Sequence, residues 1–405
     1  MRFKTLVLTS GLIGSLVICF AAQLRTTKAD EKGGEGVSGP YEVDPDWPQK
    51  LSPALTWGRT SYVFAESPNR VFVIQSGMVP WSWKKLRGEK LIGAQESGGT
   101  LLDAGNNAMH CASTLAFDQE WQCETQPDGK IVDALVERDG APIPGSQWDH
   151  IVMVFDRNGK LIEKWDQWKH LFSHPHTITE NPYDPEHHLW IVDTGSDQVF
   201  EFTNDGKKLV MSLGESRVQG NDRSHFNGPD GIAFLPNGDF YVTDGYKNSR
   251  VVKFSREGKY LLEWGKHGKG PGEFNIPHGV AIDANGRVYV IDRSNSRIQV
   301  FDPNGSFIEE WPGFPFALDI HVTKDNHYLW VSDGYNDKIL KYDLNGHLLY
   351  SWGTFGAAAG ELWGPHGFSV DSEGNLYTAE VFAGRPQKFA PKKDAASETL
   401  IGPVR

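Results

Sequence analysis

GPDGIAFLPNGDFYVTDGYKNSRVVKFSREGKYLLEWGKHGKGPGEFNIPHGVAIDANGRVYVIDRSNSRIQVFDP, residues 228–303, is the stretch that decides the fold. When it is shifted by 48 residues it matches itself almost residue for residue, so that Asp230 falls on His278 and the Asn-Gly turn at 237–238 falls on the one at 285–286. Short alternating apolar runs, separated by such turns and repeated with this period, are typical of the four-stranded blades of a β-propeller. The sequence therefore predicts an all-β propeller.

The same pattern recurs along most of the chain and predicts six blades over residues 41–391. Blade 1 is expected to begin with two strands at 61–77 and to finish at 150–166, with an insertion at 78–149 that fits no repeat. The sixth blade runs out before its outermost strand, and 41–57 contain a short strand-like run. We therefore expect a strand from the N-terminal segment to complete the last blade and close the ring.

The two ends of the chain differ in character from the repeats. Two basic residues, a long apolar run and several small residues in 1–29 are typical of a secretory signal peptide, with an uncleaved membrane anchor as the alternative. Residues 30–40 predict a flexible linker and 392–405 a polar, frayed tail. A cleaved signal peptide would make the mature protein secreted or periplasmic.

Two cysteines remain beyond the predicted signal peptide, and both lie in the insertion. In an oxidising compartment Cys111 and Cys123 could bridge a short loop. The alternative is a pair of metal-ligating thiolates, but the sequence has no CxxC spacing. We therefore expect a disulfide between them.

The charge of the chain narrows the classes of partner. Its formal net charge is −12, which disfavours nucleic acid and anionic membrane surfaces. We expect a small-molecule or peptide substrate in the central channel, no contact with a membrane after signal cleavage, and a monomer.

A histidine recurs at one repeat position in alternate blades. The residue after the proline that opens the innermost strand is His176 in blade 2, His278 in blade 4 and His366 in blade 6. Alternate blades of a six-bladed ring are about 120° apart, so these imidazoles would converge on the axis. Three histidines with an open fourth position are typical of catalytic zinc, although iron, manganese, cobalt and copper also accept them. The alternative is that Pro-His-Gly is a consensus that begins strands.

Two further polar residues are expected at the same mouth of the channel. The first two strands of a blade are antiparallel, so the residues after its second strand lie near the histidines. Tyr246 in blade 3 could act there as a general base or a hydrogen-bond donor, and Arg293 in blade 4 could clamp a carboxylate. Asp230 faces the same channel and could add negative charge or a metal contact. The alternative for the tyrosine is repeat consensus, since blade 5 has Asp-Gly-Tyr at 333–335.

The repeats resemble the NHL family of propellers, and the channel residues are similar to those of the peptidyl-α-hydroxyglycine α-amidating lyases. These are six-bladed zinc enzymes that split an α-hydroxyglycine peptide into a peptide amide and glyoxylate. Each zinc histidine of that family follows a proline, as the three histidines do here, and its catalytic tyrosine lies in a motif matched by DGYKNSR at 244–250. Its active-site arginine follows an aspartate, as Arg293 does. The resemblance implies that the tyrosine deprotonates the substrate hydroxyl while the arginine engages the carboxylate.

Three positions depart from the pattern of that family. Ser76 stands where the family has another arginine, and Gly364 where it has a methionine. Gly367 replaces an aspartate that binds a structural calcium, whose other ligands are backbone carbonyls at positions matching Val63 and Ile178. The missing aspartate disfavours calcium. The missing arginine, together with the insertion, predicts a changed substrate.

The sequence thus predicts a zinc-dependent lyase of this type, which cleaves a C–N bond to give an amide and glyoxylate. A second reading is a non-catalytic NHL propeller that binds a protein, peptide or glycan on one face. A third is a propeller hydrolase acting on lactones or esters, but such enzymes hold calcium with Glu, Asn and Asp, whereas here three histidines face the channel.

Overall fold

The computed structural model describes residues 37–82 and 145–404, and between them only the backbone of four short strands. The predicted signal peptide and most of the predicted linker lie outside the described residues. The predicted disulfide does so too, since Cys111 and the side chain of Cys123 are not described. It stays a prediction.

Six four-stranded antiparallel sheets form the ring, which confirms the predicted six-bladed propeller. Blade 1 contains β2 (Leu55–Ser67), β3 (Arg70–Pro80), β8 (Val152–Phe155) and β9 (Leu161–Lys164), and between β3 and β8 the chain forms β4 (Leu101–Leu102), β5 (Ala108–Met109), β6 (Gln122–Thr125) and β7 (Ile131–Val136). Blade 2 contains β10 (Pro175–Glu180), β11 (Leu189–Asp193), β12 (Gln198–Phe202) and β13 (Leu209–Leu213), and blade 3 contains β14 (Pro229–Phe234), β15 (Phe240–Asp244), β16 (Arg250–Phe254) and β17 (Tyr260–Trp264). Blade 4 contains β18 (Pro277–Ile282), β19 (Val288–Asp292), β20 (Arg297–Phe301) and β21 (Phe307–Pro312), blade 5 contains β22 (Ala317–Val322), β23 (Tyr328–Asp333), β24 (Lys338–Asp343) and β25 (Leu348–Trp352), and blade 6 contains β26 (Pro365–Val370), β27 (Leu376–Glu380), β28 (Arg385–Pro391) and, outermost, β1 (Tyr41–Asp44).

Helical structure in the described ranges consists of the two residues Trp81 and Ser82 and of short 3₁₀ turns at Asp166–Trp168, Arg293–Asn295 and Ser397–Thr399. Within the same ranges, we find no helix with the length and apolar character needed to cross a membrane.

Burial follows the position of a strand within its blade. The three inner strands of blade 2 are almost entirely buried, whereas its outermost strand β13 alternates between half-buried and exposed residues. The core lies between neighbouring blades and is rich in aromatic side chains. Trp190 of blade 2, for example, packs against Phe234 and Phe240 of blade 3 with ring centroids 5.5 and 4.8 Å apart. This packing explains the high aromatic content of the sequence.

The ring is closed as predicted, because β1 pairs antiparallel with β28, from Tyr41 opposite Pro391 to Asp44 opposite Lys388. The tail after residue 392 was predicted to be frayed, but it packs on the propeller. Ile401 is buried and its amide donates to the Tyr41 hydroxyl at 2.8 Å. The amide of Lys324 in blade 5 donates to the carbonyl of Pro403 at 2.7 Å. Both ends of the described chain therefore reinforce the closure.

Blade 1 is longer than the sequence predicted. Its first strand begins at Leu55, not at residue 61, because the residues around Gly58 still pair with β3 although they interrupt the apolar pattern. Its second strand continues to Pro80, and Met78 forms an isolated bridge with Gln147. Residues at both margins of the predicted insertion therefore extend the blade.

Every innermost strand carries a shift in register, which lies near the start of the strand in blades 2 to 6 and in the middle of β2 in blade 1. The shifts lie between Thr60 and Tyr62, Pro175 and Thr177, Pro229 and Ile232, Pro277 and Val280, Ala317 and Asp319, and Pro365 and Phe368. Four of them follow a proline, which has no N–H for the ladder. A β-bulge bends the strand and re-aims a side chain. The bulge positions are Ser61, His176, Asp230, His278, Leu318 and His366.

Candidate metal centre

The three predicted histidines meet in the channel. Each is at most 2% exposed, and one ring nitrogen from each lies within 4.8 Å of those of the other two. Their ring centroids are 4.7 Å apart for His176 and His278, 4.6 Å for His176 and His366, and 5.1 Å for His278 and His366. The nearly equal sides of this triangle follow from the alternation of the blades. We call these residues the triad.

Each triad histidine is held by the blade that follows it. The Nδ1 atom of His176 lies 2.9 Å from the carbonyl oxygen of Asp230, that of His278 2.7 Å from Leu318 O, and that of His366 2.8 Å from Ser61 O. These acceptors are the bulge positions of the three blades without a triad histidine. A carbonyl can only accept, so Nδ1 carries the proton and Nε2 keeps its lone pair. This is the arrangement that orients metal-ligating histidines.

The triad is kept neutral by its surroundings. Burial lowers the pKa of His366 to about 3, aided by the positive charges of Arg59 and Arg293. Burial also lowers the pKa values of His176 and His278 well below the usual histidine range; the neighbouring histidines act in the same direction on His176, and Arg293 does so on His278. The Nε2 atom of His366 is buried and has no hydrogen-bond partner among the described residues. Three neutral imidazoles with fixed tautomers fit a metal that accepts nitrogen ligands, such as zinc.

Tyr246 and Arg293 lie at one mouth of the triad. The Tyr246 hydroxyl is 3.1 Å from Nε2 of His176 and 3.3 Å from Nε2 of His278. Arg293 is 3% exposed, and its Nη1 donates to the same hydroxyl at 3.3 Å. The guanidinium carbon lies 4.9 Å from the centroid of the Tyr246 ring and 4.9 Å from that of Phe316. The structure therefore brings both predicted catalytic side chains to the triad.

The motif around Tyr246 consists of a hydrogen-bonded frame centred on Asp244 and of Tyr246, which the frame positions beside the triad. The buried carboxylate of Asp244 accepts from Arg250 Nε at 2.9 Å, from Asn248 Nδ2 at 2.7 Å and from the amide of Asn227 at 2.9 Å. Gly245 lies between Asp244 and Tyr246, and a Cβ added to it would stand very close to Pro277 O and 2.7 Å from Asp230 Oδ2. A side chain at Gly245 would therefore push the loop away from the channel. Blade 4 repeats the frame around Asp292 and so positions Arg293.

Asp230 lines the channel, as predicted, but its backbone makes the clearest contact. Its carbonyl accepts from His176 Nδ1 and from Thr177 Oγ1 at 2.6 Å. The carboxyl group is fully buried, and Oδ2 has no hydrogen-bond partner in the described part of the chain. Burial raises its pKa well above the usual range. A contact between this carboxyl group and a metal stays a prediction.

The residues at the expected calcium position do not fit calcium. A Cβ on Gly367 would stand 2.6 Å from Cγ and 2.8 Å from Cε2 of Tyr62, so the tyrosine ring fills the place of the missing aspartate. The acid in this part of the channel is Asp319, whose Oδ1 accepts from the Tyr62 hydroxyl at 2.9 Å and whose Oδ2 lies 2.9 Å from His321 Nε2 and accepts from the Phe368 amide. The predicted backbone ligands Val63 and Ile178 are buried in strands of this part of the ring, and Tyr62, Asp319 and His321 line a small cavity of about 70 Å³ together with the triad. We call Tyr62, Asp319 and His321 the channel plug.

Arg59 is a channel residue that the sequence did not single out. It lies in β2 directly opposite Ser76 in β3 and is 9% exposed. Together with His174, Tyr246 and Lys247 it lines a cavity of about 210 Å³ at the Tyr246 mouth. Its position two residues before the expected start of blade 1 hid it, and the isolated Gly-Arg pair at 58–59 is the signal that could have found it.

Comparison with known proteins identifies relatives of two kinds. A family model described as a 6-bladed beta-propeller, DUF5128, matches residues 218–343. Peptidyl-glycine alpha-amidating monooxygenase B of Xenopus laevis is 30% identical over 319 residues, which are 73% of this chain and 34% of that protein. A probable peptidyl-alpha-hydroxyglycine alpha-amidating lyase of Caenorhabditis elegans is 36% identical over 153 residues, 37% of this chain and 42% of that one.

The second kind is the human NHL repeat-containing protein 3, which is 31% identical over 274 residues, 61% of this chain and 75% of that protein. By contrast, the chain spans about a third or less of the amphibian monooxygenases, 34% of one and 27% of another. The structure is a six-bladed ring, and its sequence repeats are similar to those of an NHL repeat-containing protein. The chain therefore belongs to the NHL-repeat family of six-bladed β-propellers.

Proposed function

We propose that the protein is a metal-dependent lyase that acts on a substrate ending in α-hydroxyglycine and releases an amide and glyoxylate. The observation that carries the proposal is the meeting of three tautomerically fixed imidazoles with one tyrosine hydroxyl and one buried guanidinium. Homologues named amidating lyase support it. Zinc bound by the triad would supply a Lewis acid next to the reacting hydroxyl of the substrate.

The chain's own groups account for the movement of the proton. The Tyr246 oxygen takes the proton of the substrate hydroxyl. The electron pair of that O–H bond forms the new carbonyl of glyoxylate, the C–N bond breaks, and its electron pair leaves with the amide nitrogen. That nitrogen takes up a proton, which Tyr246 can return, so the substrate equals the sum of the two products. Arg293, fixed to the Tyr246 oxygen and stacked between two rings, stabilises negative charge on that oxygen.

A second candidate function is binding without catalysis. It is favoured by the human NHL repeat-containing protein 3, of which the chain covers 75%, a larger share than it covers of the amphibian monooxygenases. On this alternative the metal at the triad has a structural role and the mouth of the ring holds a partner. Replacement of the Tyr246 hydroxyl would then leave the activity of the protein unchanged, which separates the two candidates.

The experiment compares Tyr246→Phe with Tyr335→Phe, the tyrosine at the equivalent position of blade 5. The mature protein is loaded with zinc, and glyoxylate release from a peptide ending in α-hydroxyglycine is measured together with metal content. We expect Tyr246→Phe to lower kcat by about 10²- to 10⁴-fold, the usual effect of a general base, at unchanged metal content. Tyr335→Phe should keep the wild-type rate. Glyoxylate release by neither wild type nor control, with zinc bound, would refute the lyase.

A further inference from the structure

The cavity at the Tyr246 mouth has a cationic wall. Its volume is about 210 Å³, and its lining includes the side chains of Arg59 and Lys247 together with one acid, Asp197. The carboxylate of Asp197 is bound by the protein backbone, since its Oδ1 accepts from the amide of Gly228 at 2.8 Å. Arg59 is almost buried, whereas Lys247 is exposed. A small acid entering this cavity would therefore meet positive charge where solvent screening is weak.

Arg59 is also placed to reach the triad. It lines the same cavity as Tyr246, whose hydroxyl lies 3.1 Å from Nε2 of His176 and 3.3 Å from Nε2 of His278. Residues directly opposite each other in an antiparallel pair project from the same face of the sheet. Arg59 and Ser76 are such a pair, so the Arg59 side chain projects from the same face of the sheet as Ser76 but from the neighbouring strand.

Arg293 is engaged in another way. It donates to the Tyr246 hydroxyl and lies between the rings of Tyr246 and Phe316, at 4.9 Å from each centroid. A guanidinium in that position is held by its stacking, and the task it fits is to orient and stabilise Tyr246. The two buried arginines near the triad thus have different surroundings.

We propose that Arg59 binds the carboxylate of the substrate and that it does so in place of an arginine at position 76. The planar guanidinium matches a carboxylate in a bidentate fork, and the cavity beside Tyr246 holds the acid with its α-carbon towards the triad. This proposal rests on the proposed lyase for the identity of the substrate. It differs from the expectation that the missing arginine at position 76 means a changed substrate.

The test uses zinc-loaded full-length protein and two readouts. The first is kcat and KM for glyoxylate release from a peptide ending in α-hydroxyglycine. The second is calorimetric binding of N-acetylglycine and of its carboxamide, which are unreactive and differ in the carboxylate alone. The variants are Arg59→Met, which removes the charge, and Arg59→Lys, which keeps the charge but not the fork. Arg157→Met is the control, since Arg157 is a surface residue with 46% of its side chain exposed.

We expect Arg59→Met to weaken N-acetylglycine binding and to raise KM by roughly 10- to 100-fold, the range for one hydrogen-bonded ion pair. Carboxamide binding, metal content and the control should match the wild type, and Arg59→Lys should lose part of the preference for the acid. If Arg59→Met does not fold, the partial loss in Arg59→Lys decides the question.

The results separate this proposal from the lyase. Glyoxylate release with an unchanged KM in both Arg59 variants would overturn the role of Arg59 and leave the lyase standing. A preference for the acid that depends on Arg59, without glyoxylate release, would establish the carboxylate site and overturn the lyase. Equal binding of acid and carboxamide by the wild type would overturn the role of Arg59.

Discussion

The channel plug leads to a prediction about Gly367. Replacement of this glycine by alanine would put a methyl group 2.6 Å from Cγ and 2.8 Å from Cε2 of Tyr62, where ordinary contacts are well beyond 3 Å. The ring cannot move aside freely, because its hydroxyl donates to the carboxylate of Asp319 at 2.9 Å. Backbone strain does not exclude alanine at this position, since Gly367 is not among the glycines with positive φ.

The cost has two parts. Overpacking a filled core costs about 1–3 kcal/mol, and a hydrogen bond to a charged group is worth about 1.5–3 kcal/mol if the ring must leave it. We therefore expect Gly367→Ala to lower the free energy of unfolding by about 1–3 kcal/mol if the hydrogen bond survives and by about 2.5–6 kcal/mol if it is lost. In a Tyr62→Phe background the ring is released from Asp319, so the same substitution should cost at least about 1 kcal/mol less.

Urea unfolding of the wild type, Gly367→Ala, Tyr62→Phe and the double variant measures the cost of Gly367→Ala in each background from the midpoints at constant slope. Gly402→Ala is the matched control, since nothing lies within 4 Å of its Cβ position and its φ is not positive. Gly367→Ala within about 0.5 kcal/mol of the wild type would refute the close packing of Tyr62 against position 367, as would an equal cost in both backgrounds.

Three further predictions follow from the site and its frame. Because Tyr62 occupies the expected calcium position, added calcium should not shift the unfolding midpoint, whereas one equivalent of calcium surviving dialysis would contradict the plug. Burial raises the pKa of Asp337 to about 8, so the folded state keeps a proton that the unfolded state releases. The free energy of unfolding should then fall as pH rises from about 4 to 8, by at most about 6 kcal/mol from this group. Asp337→Asn keeps the acceptor for the Gly364 amide and should flatten that dependence in urea titrations; an unchanged slope would contradict it. Arg250→Met leaves the carboxylate of Asp244 buried and unpaired and should cost about 3–5 kcal/mol in the same assay, against little for the exposed Arg256→Met.

The fold was predictable because it is periodic. A unit of about 48 residues that cannot bury its faces alone implies stacked blades, and the run-out of blade 6 pointed to closure by the N-terminal strand. The convergence of the triad was predictable for the same reason, since a fixed repeat position has a fixed place in the ring. Its alternation in the sequence became a triangle around the axis.

The hydrogen bonds that hold the triad were not predictable from side-chain patterns. The partners of Nδ1 are backbone carbonyls, and any residue supplies a carbonyl. The channel plug was missed because Tyr62 and Asp319 are 257 residues apart in the sequence and meet once the ring closes. The docked tail was missed because its composition is polar, while its buried contact depends on the single side chain of Ile401.

The central claim is that the triad holds a catalytic metal, and metal content tests it most directly. Full-length wild type, His278→Ala and His347→Ala are loaded with zinc, dialysed and measured for zinc per chain and for glyoxylate release. His347 is the control, since 75% of its side chain is exposed. The account predicts one equivalent of zinc and glyoxylate release in wild type and control, and the loss of both in His278→Ala. No zinc in the wild type, or equal zinc in His278→Ala, would contradict it.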